Sequence, residues 1–345
     1  MRYVIDLESD TVDAINRLIR EGRYRTVQDF LFTAAQNQLY DIENTHNPVV
    51  IRDSSSASSS TTDRTILSTV PDLDLSPLLT APDAGKVQTM VPPKSEEVAG
   101  EIYGLYNRFF PIKITMRVLA NMLKGNGPNV PLNTLQENAA SIAREYGKKL
   151  LKKEQGLGRR RSEMIATALP TKSKRSIDEF KSKARFKSHF VGYLAKERVE
   201  GAPAVLRFVN IRKGDNGRDV VGLTVAGLEF AKLANPVIEN EDLNSPLSDE
   251  EREFLVNHIC AELPEEARLM QSTLEAIKGG ATNPEKVQEG LRKLKPELKE
   301  TELSTIRSGL LSRMSELGLV TRERVGLSVR YHITSAGQEF VKRNS

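Results

Sequence analysis

Read as hydrophobic and polar positions, the chain opens on alternation. Tyr3, Ile5 and Leu7 fall on one side of residues 2–7 and Arg2, Val4 and Asp6 on the other, which predicts a short strand. The period then lengthens to three and four. Val12, Ile15, Leu18 and Ile19 follow a cap at Ser9 or Asp10, and the pattern stops at Gly22. Thr26-Val-Gln-Asp29 is a capping-box-like start for a second helix with Val27, Phe30, Leu31, Ala34, Ala35 and Leu39 on its apolar side. Over 44–95 periodicity is lost. The serine-rich run 54–62 and Pro71, Pro77, Pro82, Pro92 and Pro93 predict a disordered, flexible linker, in which short apolar clusters such as Leu78-Leu79 are candidate docking arms.

Helical spacing returns at Glu96. Val98, Ile102, Leu105 and Tyr106 are followed by Ile114, Val118, Leu119 and Leu123, then by a long helix over 132–151 and a basic helix over 177–198. Two strand-like runs, 205–211 and 220–224, flank the turn signal at 214–217, and a helix over 225–233 closes this module. A polar linker over 236–248 leads to helices at 249–262, 265–278, 285–294 and 301–317. The last carries the stripe Leu303, Ile306, Leu310, Met314 and Leu317. A hairpin over 319–333 and a helix over 334–341 end the chain. The expected divisions are 1–43, a linker 44–95, 96–235, a linker 236–248, and 249–345.

Strand, helix, turn, helix within 1–43 cannot bury its own apolar faces, because a lone strand has no ladder partner and two helices lack a third layer. Two copies pairing their strands antiparallel about a two-fold axis remove both deficits. The alternating Tyr3-Val4-Ile5-Asp6-Leu7, the Arg20-Glu-Gly-Arg-Tyr24 turn and the Thr26-x-x-Asp29-Phe30-Leu31 helix start resemble the ribbon-helix-helix family of the Arc/MetJ type. That resemblance implies a homodimer through 1–43 whose two-stranded ribbon enters a major groove, with Arg2, Val4 and Asp6 towards the bases. The backbone N–H groups at Thr26 and Val27 would hold a phosphate. Asp6 repels phosphate yet can accept from a cytosine amino group, and Val4 offers only a methyl contact. A ribbon that reads bases and one that only clasps the dimer both stay open.

Helices, then a hairpin, then a helix is the order of a winged helix-turn-helix module. Met314-Ser-Glu-Leu-Gly-Leu-Val320, Arg322-x-Arg324 and Tyr331-His-Ile-Thr-Ser-Ala-Gly337 resemble the winged-helix family of prokaryotic regulators. Leu223-Thr-Val-Ala-Gly227 matches Ile333-Thr-Ser-Ala-Gly337, so the modules read as distant repeats. The resemblance implies that the helix before each hairpin enters a major groove and that the hairpin tip reaches a minor groove. In the last module the corresponding helix carries Thr301, Thr305, Ser308 and Ser312, flanked by Arg307 and Arg313, with Arg322, Arg324 and Arg330 on the wing. Small hydroxyls let a helix approach DNA closely, and the same surface would also suit packing against a protein. In the middle module Lys181, Lys183, Arg185 and Lys187 precede the hairpin, which brings Arg212, Lys213 and Arg218. Arg159, Arg160 and Arg161 add to the same basic block.

Charge sharpens this picture. The 345 residues are 28% charged with a formal net charge of only +4, but the charge is unevenly spread. Residues 144–187 hold 15 Lys and Arg against 5 Asp and Glu, and 236–302 hold 8 against 16. The first excess suits phosphate contact, and the second suits solvent or a protein partner. Cys260, the single cysteine, falls in the apolar pattern Phe254, Leu255, Ile259, Leu263, which argues for a core thiol and against a cysteine zinc site or disulfide framework. His46, His189, His258 and His332 share no ligand spacing, Gly156-Leu-Gly-Arg159 lacks the dinucleotide fingerprint, and no phosphate-binding Gly-Lys-Ser/Thr loop occurs. No apolar run of membrane length is present. These features point to a mostly α, cytoplasmic protein: a ribbon-helix-helix dimerisation domain, a disordered linker and two winged-helix domains. The expected function is a non-enzymatic regulator of transcription, without cofactor or metal, that binds double-stranded DNA as a homodimer. A protein-interaction or architectural subunit is the alternative.

Overall fold

A computed structural model of the chain describes residues 9–20, 27, 76–98, 106–161, 163–172, 176–196, 198–325 and 328–344. The chain divides into two compact units, Met1–Thr69 and Val70–Ser345. In the first, the described element is helix α1 (Ser9–Arg20), which buries Ile15 and leaves Val12 exposed. The expected strand over 2–7 and the second helix, position 27 apart, lie outside the described residues. So do Arg2, Val4, Asp6 and Thr26.

The second unit is mostly helical with small antiparallel sheets, and it begins inside the stretch expected to be a disordered linker. Residues 76–98 form a strap that buries Leu79, Val87 and Met90. The Met90 N–H donates to the Leu223 carbonyl at 2.6 Å, and Asn210 Nδ2 donates to the Val91 carbonyl at 2.8 Å. The prolines rule out a long helix but allow single helical turns, at Ser76–Leu79, Ala84–Lys86 and Ser95–Glu97, and extended chain laid on a core, so proline content does not by itself make this segment a tether.

Helix α2 (Phe110–Leu123) lies under the strap. It is apolar nearly all round, as a central helix must be, with one polar row at Lys113, Arg117 and Asn121. Its amphipathic-looking spacing would put that row in solvent, yet Lys113 and Arg117 are both 0% exposed. Lys113 Nζ donates to the Phe230 and Leu233 carbonyls, both at 2.6 Å, and pairs with Glu251 at 2.8 Å. Arg117 donates to the Leu79 and Leu233 carbonyls, both at 2.7 Å, and pairs with Glu239 at 2.6 Å. Asn121 Nδ2 donates to the Leu78 carbonyl at 3.0 Å.

Next come β1 (Val130–Pro131), α3 (Leu132–Gly156) and α4 (Ser176–Phe186). The basic helix expected over 177–198 stops early. It widens into a turn at Lys187–Val191 and ends at Gly192, whose φ is +107° and where a Cβ would sit 2.6 Å from the Glu200 carbonyl oxygen. A small hairpin follows, β2 (Tyr193–Ala195) with β3 (Arg198–Glu200), and then β4 (Val209–Lys213) and β5 (Asp219–Leu223). The latter pair joins β1 in a sheet of order β1-β5-β4, with Val130 opposite Val221 and Val209 opposite Leu223. Helix α5 (Val225–Lys232) ends this half.

The expected polar linker over 236–248 is packed. Asn235 caps α6 (Pro236–Asn240) through Val237 N at 3.1 Å, and its Nδ2 donates to the Pro246 carbonyl and to Glu251, both at 2.8 Å. Val237, Leu243 and Leu247 are buried. Helices α7 (Asp249–Glu262), α8 (Pro264–Lys278), α9 (Pro284–Leu294) and α10 (Glu300–Glu316) follow the predicted pattern. The hairpin of β6 (Val320–Val325) and β7 (Ser328–Ile333) and helix α11 (Ser335–Asn344) complete the unit. The two halves share one hydrophobic core. Rings from both stack through it, Phe208 on Phe230 at 5.2 Å and Phe230 on Phe254 at 5.9 Å. His258 Nε2 meets the Leu206 carbonyl at 2.7 Å.

The two matching sequence stretches build the same joint. Thr224 N–H donates to the Phe208 carbonyl at 3.0 Å; its hydroxyl donates to the Arg207 carbonyl at 2.7 Å and accepts from Gly227 N at 3.1 Å. Thr334 repeats this with the Leu319 carbonyl at 3.1 Å, the Gly318 carbonyl at 2.6 Å and Gly337 N at 3.0 Å. The outer strand is also treated alike. Tyr331 N–H donates to the Thr282 carbonyl at 2.8 Å, so the chain entering α9 borders β7 as β1 borders β5.

This packing can be tested at the joints and at the buried ion pair. A Cβ on Gly227 would lie 2.0 Å from the Phe208 carbonyl oxygen, and one on Gly337 2.2 Å from that of Leu319. Gly227→Ala and Gly337→Ala should therefore each cost about 1–3 kcal/mol in urea unfolding; an unchanged midpoint would mean that the joint yields without strain. Lys113→Ala leaves Glu251 charged and buried, and should cost about 3–5 kcal/mol. Lys113→Met combined with Glu251→Gln should recover much of that stability, since the new amide oxygen still accepts from Asn235. If the double variant is no more stable than Lys113→Ala, the pair is not the source of the penalty.

Candidate nucleic-acid interface

The helix period sorts the basic residues of the middle module into two sets. On α4, Asp178, Lys181, Ser182 and Arg185 share one face and line a cleft of about 730 Å³, which Arg161 and Lys172 line as well. Lys183 turns away to Glu179 at 3.4 Å, and Lys187, one turn beyond it, pairs with Glu137. Residues at i and i+4 stay together on a helix while those at i+2 point elsewhere, so a block of four cations cannot act as one patch. Arg159 is also committed, to the Leu243 carbonyl at 2.6 Å and Glu154 at 3.6 Å, whereas Arg160 is exposed. On the hairpin, Arg212 and Arg218 are exposed and Lys213 pairs with Asp219 at 2.7 Å.

In the second half α10 brings Thr305 and Ser308 to a cleft of about 500 Å³, whose other walls carry Arg108, Arg185 and His189. Ser312 is half-buried, and Arg307 turns to Gln288. Arg313, expected at the DNA-facing surface, is instead fully buried. Its guanidinium donates to Glu266 at 2.8 Å and to the Tyr106 carbonyl at 2.7 Å, and lies 4.2 Å from the centre of the Tyr106 ring. Arg313 stands seven residues after Ile306 and three after Leu310, which places it on the core stripe of the helix rather than on the hydroxyl face. The wing arginines divide as well. Arg322 pairs opposite Tyr331 and Arg324 opposite Val329, while Arg330 stands opposite Glu323 on the other face of the hairpin.

The two clefts share Thr167, Ala168, Arg185 and Phe190 and so form one groove across both halves of the unit. Arg108, Arg161, Lys172, Lys181 and Arg185 line it without an ion pair among the described residues, and Asp178 is its one lining carboxylate. Sequence reasoning named Arg161, Lys181, Arg185, Thr305 and Ser308, and these are the residues brought together. It passed over Arg108, Lys172 and His189. Lys172 lies inside the basic block and was legible there; Arg108 precedes a buried helix, with nothing local to mark it. Phe186 and Phe190 are buried, but Phe180 is 49% exposed, as is Ile177 one turn before it.

Burial tunes two groups at this junction. His189 is held below the ordinary histidine range by its burial, reinforced by the neighbouring positive charge of Arg185. Glu316, at the end of α10, accepts from the Phe109 N–H at 2.5 Å where α2 begins. Burial pushes its carboxyl from 4.5 to about 7, against the pull of Arg108 and the Phe109 and Phe110 N–H groups. The acidic second half thus spends much of its charge inside the molecule, with Glu239, Glu251 and Glu266 all paired to buried cations.

Among the described residues no group of three or more His, Cys, Asp and Glu could hold a metal ion, and no helix is long and apolar enough to cross a membrane. No family model matches the chain, and no curated protein or solved structure is significantly similar to it.

The Glu316 carboxyl gives a pH test. Its pKa is raised in the folded state, so the folded chain keeps a proton that the unfolded chain releases between about 4.5 and 7. Stability from this group is therefore full below that window and is lost as pH rises through it. Glu316→Gln should flatten the decline in thermal midpoint between about pH 5 and about pH 7.5. An equally steep decline in the variant would assign the pH dependence to another group.

Proposed function

We propose that this chain binds double-stranded DNA through the basic groove of its second unit and acts as a non-enzymatic regulator of transcription. The observation that carries the reading is the division of cations. Those with internal partners are buried or turned aside, and a set without ion pairs converges on one groove that also receives the hydroxyl face of α10. A row of such Lys and Arg beside small hydroxyl side chains suits the phosphates of a duplex strand, with Arg forks and hydroxyls as donors.

The reading includes two winged-helix modules, with α4 and α10 as the helices before their wings. The sheet order β1-β5-β4 and the matching Thr282 to Tyr331 contact support it. It also includes a homodimer through residues 1–43, supported by an N-terminal pattern that cannot bury its own apolar faces. Dimerisation would bring two grooves to one DNA, so that effective concentration multiplies modest single-site affinities. A protein partner is the second reading, favoured by Ile177 and Phe180, half-exposed beside each other on α4.

Two charge reversals on the same helix test the proposal. Lys181→Glu with Arg185→Glu should weaken binding to every duplex and reduce the slope of log K against log salt by about 0.9 for each phosphate no longer engaged. Lys183→Glu with Lys187→Glu changes the net charge equally but lies off the groove, and should leave most of the affinity in place. Equal losses in fluorescence anisotropy from both pairs, or none from the first, would remove the groove as the DNA site.

A further inference from the structure

The smaller cleft of the groove differs from the larger in two ways. No carboxylate lines it among the described residues, and its walls come from both halves of the unit: Arg108 ahead of α2, Arg185 and His189 at the end of α4, and Ser304, Thr305 and Ser308 on α10. Arg108 and Arg185 make no ion pair among the described residues, whereas the buried arginines Arg117, Arg144 and Arg313 all do. The acid that feels the charge of Arg108 is Glu316, whose buried carboxyl is raised to about 7 and so competes less than an ordinary carboxylate for that guanidinium. The Thr305 hydroxyl donates to the Thr301 carbonyl at 2.9 Å and has no proton left for an anion, whereas Ser308, exposed on the same wall, offers its hydroxyl as a donor.

Two guanidinium groups and a serine hydroxyl around a space of about 500 Å³ make a donor set for one compact multivalent anion. We infer that this cleft is a receptor for a single phosphate group, supplied either by the DNA backbone or by a small phosphorylated molecule. Only the backbone source rests on the DNA-binding reading of the groove. A tetrahedral oxyanion can take a fork from each arginine and a hydroxyl from α10 at once, which a chloride or a single carboxylate cannot. Because both arginines come from the first half and the hydroxyls from α10 in the second, the complete site exists only while the halves are docked. An anion bound there stabilises the docked state by mass action.

The test uses the full chain with inorganic phosphate and pyrophosphate, titrated against chloride at constant ionic strength. Thermal midpoint and isothermal titration are the readouts. The variants are Arg108→Gln, which removes one fork, and Ser308→Asp, which puts a carboxylate on an exposed wall position. Circular dichroism in chloride alone checks that both fold. A saturable rise in midpoint for the unaltered chain is expected, with affinity at least about tenfold weaker in each variant. Displacement of duplex DNA by phosphate, together with weaker duplex binding by both variants, assigns the site to the backbone. Phosphate binding that leaves duplex affinity untouched assigns it to a free phosphorylated molecule. If phosphate binds and the chain binds no duplex at all, the DNA reading fails and the receptor stands. No saturable response to either anion, with duplex affinity unchanged in both variants, overturns the receptor.

Discussion

Lys113 and Arg117 lie one turn apart on a helix whose other sides are apolar, and neither reaches water. Two buried cations of this kind are tolerated when carbonyls and carboxylates replace most of their hydration, and here Arg117 Nε is the atom of the two side chains left without a hydrogen-bond partner. The replacement comes from four places: the strap through Leu79, the end of α5 through Phe230 and Leu233, the connector through Glu239, and α7 through Glu251. The α5 carbonyls are those that a helix leaves unpaired at its C-terminus, where positive charge is favoured. A single polar row thereby satisfies a helix end and ties together segments far apart in the chain.

That requirement decides which charges remain for a ligand. Arg313 and Arg144 are consumed like Lys113, by Glu266 and Glu179. Net charge hides this, because the acidic stretch over 236–302 looks like a surface while several of its carboxylates are internal counter-ions. Part of what is left over is concentrated rather than scattered: five cations of the first half without ion pairs among the described residues open on one groove, and α10 of the second half adds hydroxyls to it.

Much of the second half was legible because its helices bury one narrow stripe each, and Leu303, Ile306, Leu310 and Met314 declare that stripe directly. Glycine turns announced the hairpins, and the paired Thr-x-x-Gly sequences announced a common joint. Three features were not legible, for distinct physical reasons. The strap over 76–98 is held by backbone hydrogen bonds and a few apolar anchors, which leave no period. Lys113 and Arg117 occupy the polar side of an apparently amphipathic helix, and only the acids that meet them, more than a hundred residues later, show that this side is inside. Arg313 was placed by its neighbours in sequence when its angle on the helix put it in the core. The groove itself was half legible: its cations and hydroxyls were named singly, but their meeting depends on how the halves dock.

The shared counter-ions also bear on how this unit can be divided. Its pattern of two similar hairpin modules suggests parts that could be cut, swapped or grafted separately. Each half, taken alone, would carry an orphan: Lys113 without Glu251, or Glu266 and Arg313 without the Tyr106 carbonyl that completes their contact. The unit therefore has the sequence signature of a tandem array and the inheritance of a single gene segment, since only an exchange that moved both halves together would deliver a neutral core.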